Sequence, residues 1–187
     1  FTEFGCVNVH LEEWGQWPIG FDRGRSHVGR MVVPFARNFE FTTRSWAPGT
    51  NGELWRGQAV PLPASAEEAR ANAGKYRGAW VVMPRAAARL TAEQQAAQDA
   101  IWAEVKKAGP HGQVVSSRND LVITSGNYNV QWEAIPTDII VTVRASDHDA
   151  IGDGMKAGYC ALEFLLDQRI RKGPVPISNV IAEIRGT

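Results

Sequence analysis

Apolar and polar residues alternate with period two near both ends of the chain, the pattern of a strand with one buried face. Val7, Val9 and Leu11 fall on one side of residues 7–14, with Asn8, His10 and Glu12 on the other. Val180, Ala182 and Ile184 alternate with Ile181, Glu183 and Arg185 before a turn at Gly186. Between these ends, strand character returns at residues 30–34 and 39–44, after a stretch over 14–29 rich in Gly, Trp and Arg. Pro34 separates those two runs because it cannot donate to a ladder. Further strands are expected at 53–61, 79–83, 114–115, 121–124, 138–144 and 160–170, the last with Leu162, Phe164 and Leu166 on one face. Residues 45–52 read as a loop, since Pro48, Gly49, Asn51 and Gly52 punctuate it, and residues 173–176 (Gly-Pro-Val-Pro) read as a linker.

Helical signals stand between the strands. Ser65 with Glu68, and Thr91 with Gln94, have capping-box spacing. The first opens a short helix ending near Gly74. The second opens a longer one in which Ala97, Ile101, Val105 and Ala108 recur at helical spacing until Gly109 and Pro110 stop it. Ser146 and Asp147 are placed to cap a third helix over 148–156. Gly152 and Gly154 cost that helix about 1 kcal/mol each against Ala, so tertiary packing must hold it. Strands in the middle, capped helices and a long late strand give an α+β class with a mostly antiparallel sheet.

Composition narrows the options. A chain of 187 residues with 44% hydrophobic content buries a sizeable core and suits one domain with appendages. Twenty basic residues balance twenty acidic ones without a basic run, so nothing favours nucleic acid as a partner. The longest apolar runs, such as 80–83, are far short of the roughly 18 residues of a membrane span. Cys6 and Cys160 are too few for a thiolate zinc site, and either two small buried residues or a disulfide is open to them.

Candidate chemistry is sparse. His10, His27, His111 and His148 are the four histidines, and the densest cluster is Asp147-His148-Asp149. Successive side chains at a helix start diverge, so this reads as a helix N-terminus favoured by the macrodipole rather than a metal site. Glu12 and Glu13 face opposite ways on a strand and make no carboxylate pair. Of the seven Trp residues, Trp14 and Trp17 are close in sequence, and core packing is expected of the others. No nucleophile elbow, His-Glu-x-x-His helix or phosphate loop occurs.

Four stretches in order, 75–83, 95–112, 135–141 and 146–158, resemble the protease-associated domain, a β-sandwich-like module found inserted in exported peptidases. The flanks at 7–14, 30–44 and 179–184 resemble scaffold strands of zinc-dependent exopeptidases of the bacterial aminopeptidase and plasma glutamate carboxypeptidase type. That resemblance implies scaffold strands over 1–45, a protease-associated domain over 46–174 and the start of the next scaffold strand over 175–187. It implies a non-catalytic part that shapes access to a parent's cleft, with the parent's peptidase domain and its peptide substrate as partners. The parent would hold two zinc ions, be exported, and carry its His-x-Asp ligand pair in the segment after such a strand, so this chain is expected to lack the catalytic and metal-ligating residues. Segment 118–132 has no counterpart, and no substrate contact carries over. Asn51, Gly52, Arg118, Asn119 and Asp120 are the candidate cleft-facing loop positions. The alternative is a stand-alone binding module using surface Trp residues and the 119–129 loop.

Overall fold

The computed structural model describes residues 1–85, 90–118, 120–124, 126 and 129–186. Eight strands among them form one mixed sheet: β1 (Val7–Val33), β2 (Arg37–Asn38), β3 (Phe41–Thr43), β4 (Trp55–Pro61), β5 (Trp80–Val82), β6 (Gly112–Ser116), β7 (Ile140–Val143) and β8 (Ala161–Glu183). The helices are α1 (Ala66–Ala71), α2 (Ala73–Tyr76), α3 (Ala92–Lys106) and α4 (Ala145–Lys156), with short 3₁₀ turns at Thr2–Phe4 and Trp132–Ala134. The α+β class therefore holds. The sheet order is β2-β1-β8-β4-β5-β6-β7-β3, and its centre, β4 to β7, is parallel where a mostly antiparallel sheet was expected. Parallel neighbours need crossovers. The helices α1, α2 and α3 supply two of them, and the segment between β6 and β7, which contains the 3₁₀ turn at Trp132–Ala134, supplies the third.

The two outermost strands in the sheet order, β2 and β3, are separated in sequence by Phe39 and Glu40 alone. Two residues span too little distance for the edges of a flat eight-stranded sheet. The sheet consequently rolls until its edges meet. Phe39 donates its amide to Gly29 O of β1 at 2.9 Å, and Glu40 O accepts from Arg144 N, just past β7, at 3.1 Å. One bent segment thus pairs with both edges. Asp147, fully buried in the first turn of α4, clamps the closure: Oδ1 accepts from Arg37 Nε at 2.8 Å, and Oδ2 accepts from the Glu40 amide and Arg144 Nε, both at 3.0 Å.

Alternation along the central strands fills two cores. Trp80 and Val82 of β5, Val114 of β6 and Ala59 of β4 point inward to join Phe164, Leu162, Met31 and Ile151. The intervening Val81 and Val60 point outward to Ala69, Tyr76 and Val105 beneath α1–α3. Strands covered on both faces lose the polar half of the pattern, which is why residues 79–83 read as a continuous apolar run. Phe39 and Phe41 cross to Phe164 with ring centroids 6.0 and 5.7 Å apart, so the closing segment supplies part of the inner core.

The structure corrects several expectations. Residues 14–29 do not interrupt a strand, and residues 173–176 are not a linker: β1 and β8 run through both stretches as one antiparallel ribbon, Val7 opposite Glu183 and Val33 opposite Ala161. Five register irregularities interrupt the pairing, one of which, between Trp17 and Ile19, takes in Pro18, Gly173 and Pro174. Gly173 is required there, since a Cβ would lie 2.5 Å from the carbonyl oxygens of both Trp17 and Pro18. Residues 121–124 form no strand, because the free edge of β7 is already taken by β3. The third helix starts at Ala145, with Arg144 at its N-cap and no side-chain cap bond. Among the tryptophans Trp80 alone is fully buried, and the face of α3 is buried only toward its C-terminal end, leaving Ala97 exposed. Thr91 and Gln94 bond reciprocally as a capping box, whereas at Ser65 only half of the box forms: Ser65 Oγ accepts from Glu68 N, and the Glu68 carboxylate accepts instead from the Ala64 amide at 2.8 Å.

The cysteines are unpaired: Cys6 is half-buried near the start of β1, and Cys160 is buried 3.6 Å from Met31 Sδ. Burial pushes the Cys160 thiol up to about 11. At pH 8 a disulfide reagent is expected to titrate Cys6 alone in the native protein and both thiols in denaturant; two fast native thiols would refute this packing. Asp147→Asn removes the clamp but leaves Arg37 and Arg144 about one-third exposed, so a loss of about 2–3 kcal/mol is expected, at the lower end for a broken buried pair. The urea midpoint reads it; a change under about 0.5 kcal/mol, the range of an ordinary surface substitution, would show that the carboxylate does not hold the closure.

Candidate functional site

Thr50 fixes the loop that carries Asn51 and Gly52. It is fully buried, exchanges backbone and hydroxyl bonds with Leu166 of β8 at 3.0 Å, and donates its Oγ1 proton to Glu53 O at 2.6 Å. Asn51 and Gly52 have φ of 55° and 79°, and Glu53 N closes the turn onto Thr50 O at 3.0 Å. This is the mirror-image turn that Asn-Gly favours, so the sequence signal is first a turn signal. Gly52 is accounted for by that geometry. Asn51 also lines a depression of about 440 Å³ with Trp55, His111 and Trp102.

Asp120 has structural work. Its Oδ1 accepts from Ser146 N at 2.8 Å, capping the first turn of α4 from a distant loop, and that bond holds its carboxyl below the usual carboxylate range. Asp120 thus supplies the cap that the sequence assigned to Ser146. Arg118 is exposed and lines a larger groove of about 880 Å³ on the outer face of β6 and β7, overhung by the first turns of α3. Asn119 lies outside the described residues. Of the five loop positions, Asn51 and Arg118 therefore face neighbouring depressions, while Gly52 and Asp120 serve the fold.

Asp138 stands between those depressions and lines both. Its Oδ2 accepts from the Trp102 indole at 2.8 Å, and Lys106 forms an ion pair with it. Burial alone would raise its pKa, but the bonds from Lys106 and Trp102 prevail and keep it below the ordinary value. Asp138 also borders a third cavity of about 620 Å³ with Arg44, Ile135 and Pro136. Arg44, Arg85, Trp102 and Asp138 were absent from the sequence-derived candidates. They sit at a strand end, in a loop, on a helix and before a strand, and only the tertiary fold makes them neighbours.

The Asp147-His148-Asp149 run spreads in three directions, as a helix start requires. Asp147 turns inward to its arginines, and His148 Nε2 donates to Met83 O at 3.0 Å. Asp149 turns outward to Arg85, 3.0 Å from its Nη1. His111 stacks between Trp55 and Trp80, with centroids 5.1 and 5.5 Å away. His10 sits exposed on the ribbon beside Asn8 O. Among the described residues no three or more His, Cys, Asp or Glu side chains converge on a point that could hold a metal. No described helix is long and apolar enough to cross a membrane.

Burial lowers the pKa of both His148 and His111 below the ordinary 6.5. The unfolded chain takes up protons near that value while the folded chain resists, so this stability is complete above it and is lost as pH falls through the lower folded values. Thermal unfolding from pH 7.5 to 5 is expected to show that fall. His148→Gln, which retains an N–H for Met83 O, should flatten it by up to about 1.4 kcal/mol per pH unit. An unchanged slope would contradict the assignment.

No protein-family model and no curated protein sequence matches the chain. Solved structures do match. The chain aligns over 97% of its length with 39% of an aminopeptidase from Aneurinibacillus sp. strain AM-1, at 12% identity and a TM-score of 0.57. All of it aligns with 43% of a peptidase M28 precursor from Shewanella amazonensis SB2B, at 16% identity and a TM-score of 0.59. A zinc aminopeptidase from Bacillus subtilis matches with a TM-score of 0.53 at 11% identity, over 97% of this chain and 37% of that one. The shared feature is the fold, and the chain spans about two-fifths of each of those proteins.

Proposed function

We propose that this chain is the protease-associated part of a zinc-dependent exopeptidase, non-catalytic in itself, which borders the parent's cleft and shapes the entry of peptide ends. The observation that carries the reading is the extent of the match: 97–100% of the chain aligns with about two-fifths of the length of two proteins described as aminopeptidases and one described as a peptidase M28 precursor. The outer half of the β1–β8 ribbon supports it physically. Leu11, Trp14 and Val180 are between 55% and 70% exposed there, on strand segments paired only with each other. A two-stranded ribbon with exposed apolar side chains and open edges is marginal alone and calls for a covering layer. In this reading that layer is the peptidase body, with scaffold strands over 1–45 and from 175 on, and the protease-associated domain over 46–174.

Among the described residues no set of His, Cys, Asp or Glu converges that would hold the two zinc ions of such a parent. In this reading the zinc ions belong to the peptidase body, where they polarise the scissile carbonyl and activate water. This chain contributes walls and loops, Asn51 and Arg118 among them, and no proton transfer is assigned to it. Export of the parent belongs to the same proposal.

The purified chain supplied with Zn²⁺ is expected to leave aminoacyl-p-nitroanilide reporters intact; chelator-sensitive turnover would place chemistry here and sink the proposal. In the natural protein, deleting 46–174 is expected to keep turnover of the small reporter and to change its kcat/KM relative to that of long peptides. An unchanged ratio would remove the gating role.

A further inference from the structure

The 880 Å³ groove brings together three guanidinium groups that come from three separate places in the chain. Arg44 follows β3, Arg85 follows β5 and Arg118 follows β6, and all three line it. Arg85 is oriented by Asp149, with Nη1 within 3.2 Å of both carboxylate oxygens. Among the described residues Arg44 and Arg118 form no ion pair, and both are exposed. Two acids also line the groove. Asp138 is committed to Lys106 and the Trp102 indole. Asp99 accepts from Gln95 Nε2 at 2.8 Å, a neutral partner. Two uncompensated guanidiniums therefore face one uncompensated carboxylate, and the groove is positive in a chain whose formal charge is zero.

The arrangement has a length as well as a sign. Thr43 pairs with Val141 and Ser116 with Val143, which puts Arg44 level with the start of β7 and Arg118 beyond its end. At about 3.3 Å per strand residue, five residue steps put the two ends roughly 16 Å apart along the strand direction. An extended peptide of about five residues covers that span. Val115 and Ile140 give an apolar floor, and Gln95 and Gln98 on α3 offer amide donors and acceptors along one side. A guanidinium fork matches a carboxylate in two parallel hydrogen bonds, and it has no acceptor with which to bind a cation.

We propose that this groove binds an extended peptide segment through its carboxylates, one near Arg44 and one near Arg85 and Arg118. The site is a property of this chain and does not depend on whether the chain serves a peptidase. Within an exopeptidase it would favour acidic peptides.

The test uses the 187-residue chain and fluorescent Gly/Ser peptides in an anisotropy titration. One peptide is amidated and carries two Glu residues four positions apart. Its twin carries Gln at both places, and a third is neutral with a free terminal carboxylate. The Glu peptide, or the free terminus, should bind at least about fivefold more tightly than the amide counterpart, as charge-assisted hydrogen bonds are about twice as strong as neutral ones. The two arms tell side-chain from terminal carboxylate. Arg44→Gln and Arg118→Gln should each erase that preference, while Arg70→Gln on α1 should retain it, and added salt should weaken it. Equal binding of acid and amide peptides, no binding of any, or a preference that survives both groove substitutions would overturn the proposal.

Discussion

The buried carboxylate of Asp147 sits where the sheet closes on itself, and the rest of the architecture hangs on that closure. Phe39 and Glu40 must turn the chain from the β1 edge to the β7 edge, and a turn that abrupt leaves a backbone amide without a ladder partner. Asp147 accepts that amide and two guanidiniums, one from each side of the junction. A buried ion pair is weak evidence for stability where an apolar replacement would serve. Here no apolar side chain could satisfy the Glu40 amide, so the carboxylate specifies the shape of the sheet. Because Asp147 lies in the first turn of α4, the same contact seats that helix, and Ile151 one turn later enters the inner core.

Closure decides where binding surface is left. Once the inner face is filled, only the outer face can carry a site. The helices α1–α3 cover it over β4 and β5, and α3 covers β6 only with its C-terminal turns. Beyond that cover the outer face of β6 and β7 stays open, and the first turns of α3 project above it. Among the described residues no α-helix lies in the β6–β7 crossover, and the groove is the part of the outer face that α1–α3 leave uncovered. Strand ends and loops then deliver arginines to its rim from points distant in sequence.

What could be read from the sequence follows the range of the forces involved. The capping box at Thr91 and the N-cap bond of Ser65 are satisfied within four residues and were legible. So was the Asn51-Gly52 turn, whose positive φ values come from local sterics. The ribbon was not, because Gly15, Gly20, Pro174 and Pro176 break strand propensity locally while antiparallel pairing with a strand distant in sequence holds the ribbon together. The cap of α4 was misassigned for the same reason: Asp120 reaches Ser146 across 26 positions in sequence. The candidate site was half legible. Arg118 and Asn51 stood out as polar loop residues, yet Arg44, Arg85 and Asp138 become partners only when three crossovers bring their strands side by side.

The polar residues that could have signalled catalysis are mostly consumed by the fold. Glu163, buried between Arg30 and Arg56, ties β8 to both neighbouring strands across a row of the sheet. His148 spends its proton on the end of β5, and His111 spends its ring on two tryptophans. Asp147 and His148 are held by bonds that the fold supplies, which is how a cluster such as Asp147-His148-Asp149 can look functional in sequence and be architectural in space. Guanidiniums are the exception, because an arginine can extend past its strand end and keep its charge in water while its stem packs below. In the proposed reading, Arg44 and Arg118 stand exposed at the rim of the groove, where they would hold a peptide's carboxylates, while Asp147, Glu163 and His148 hold the fold.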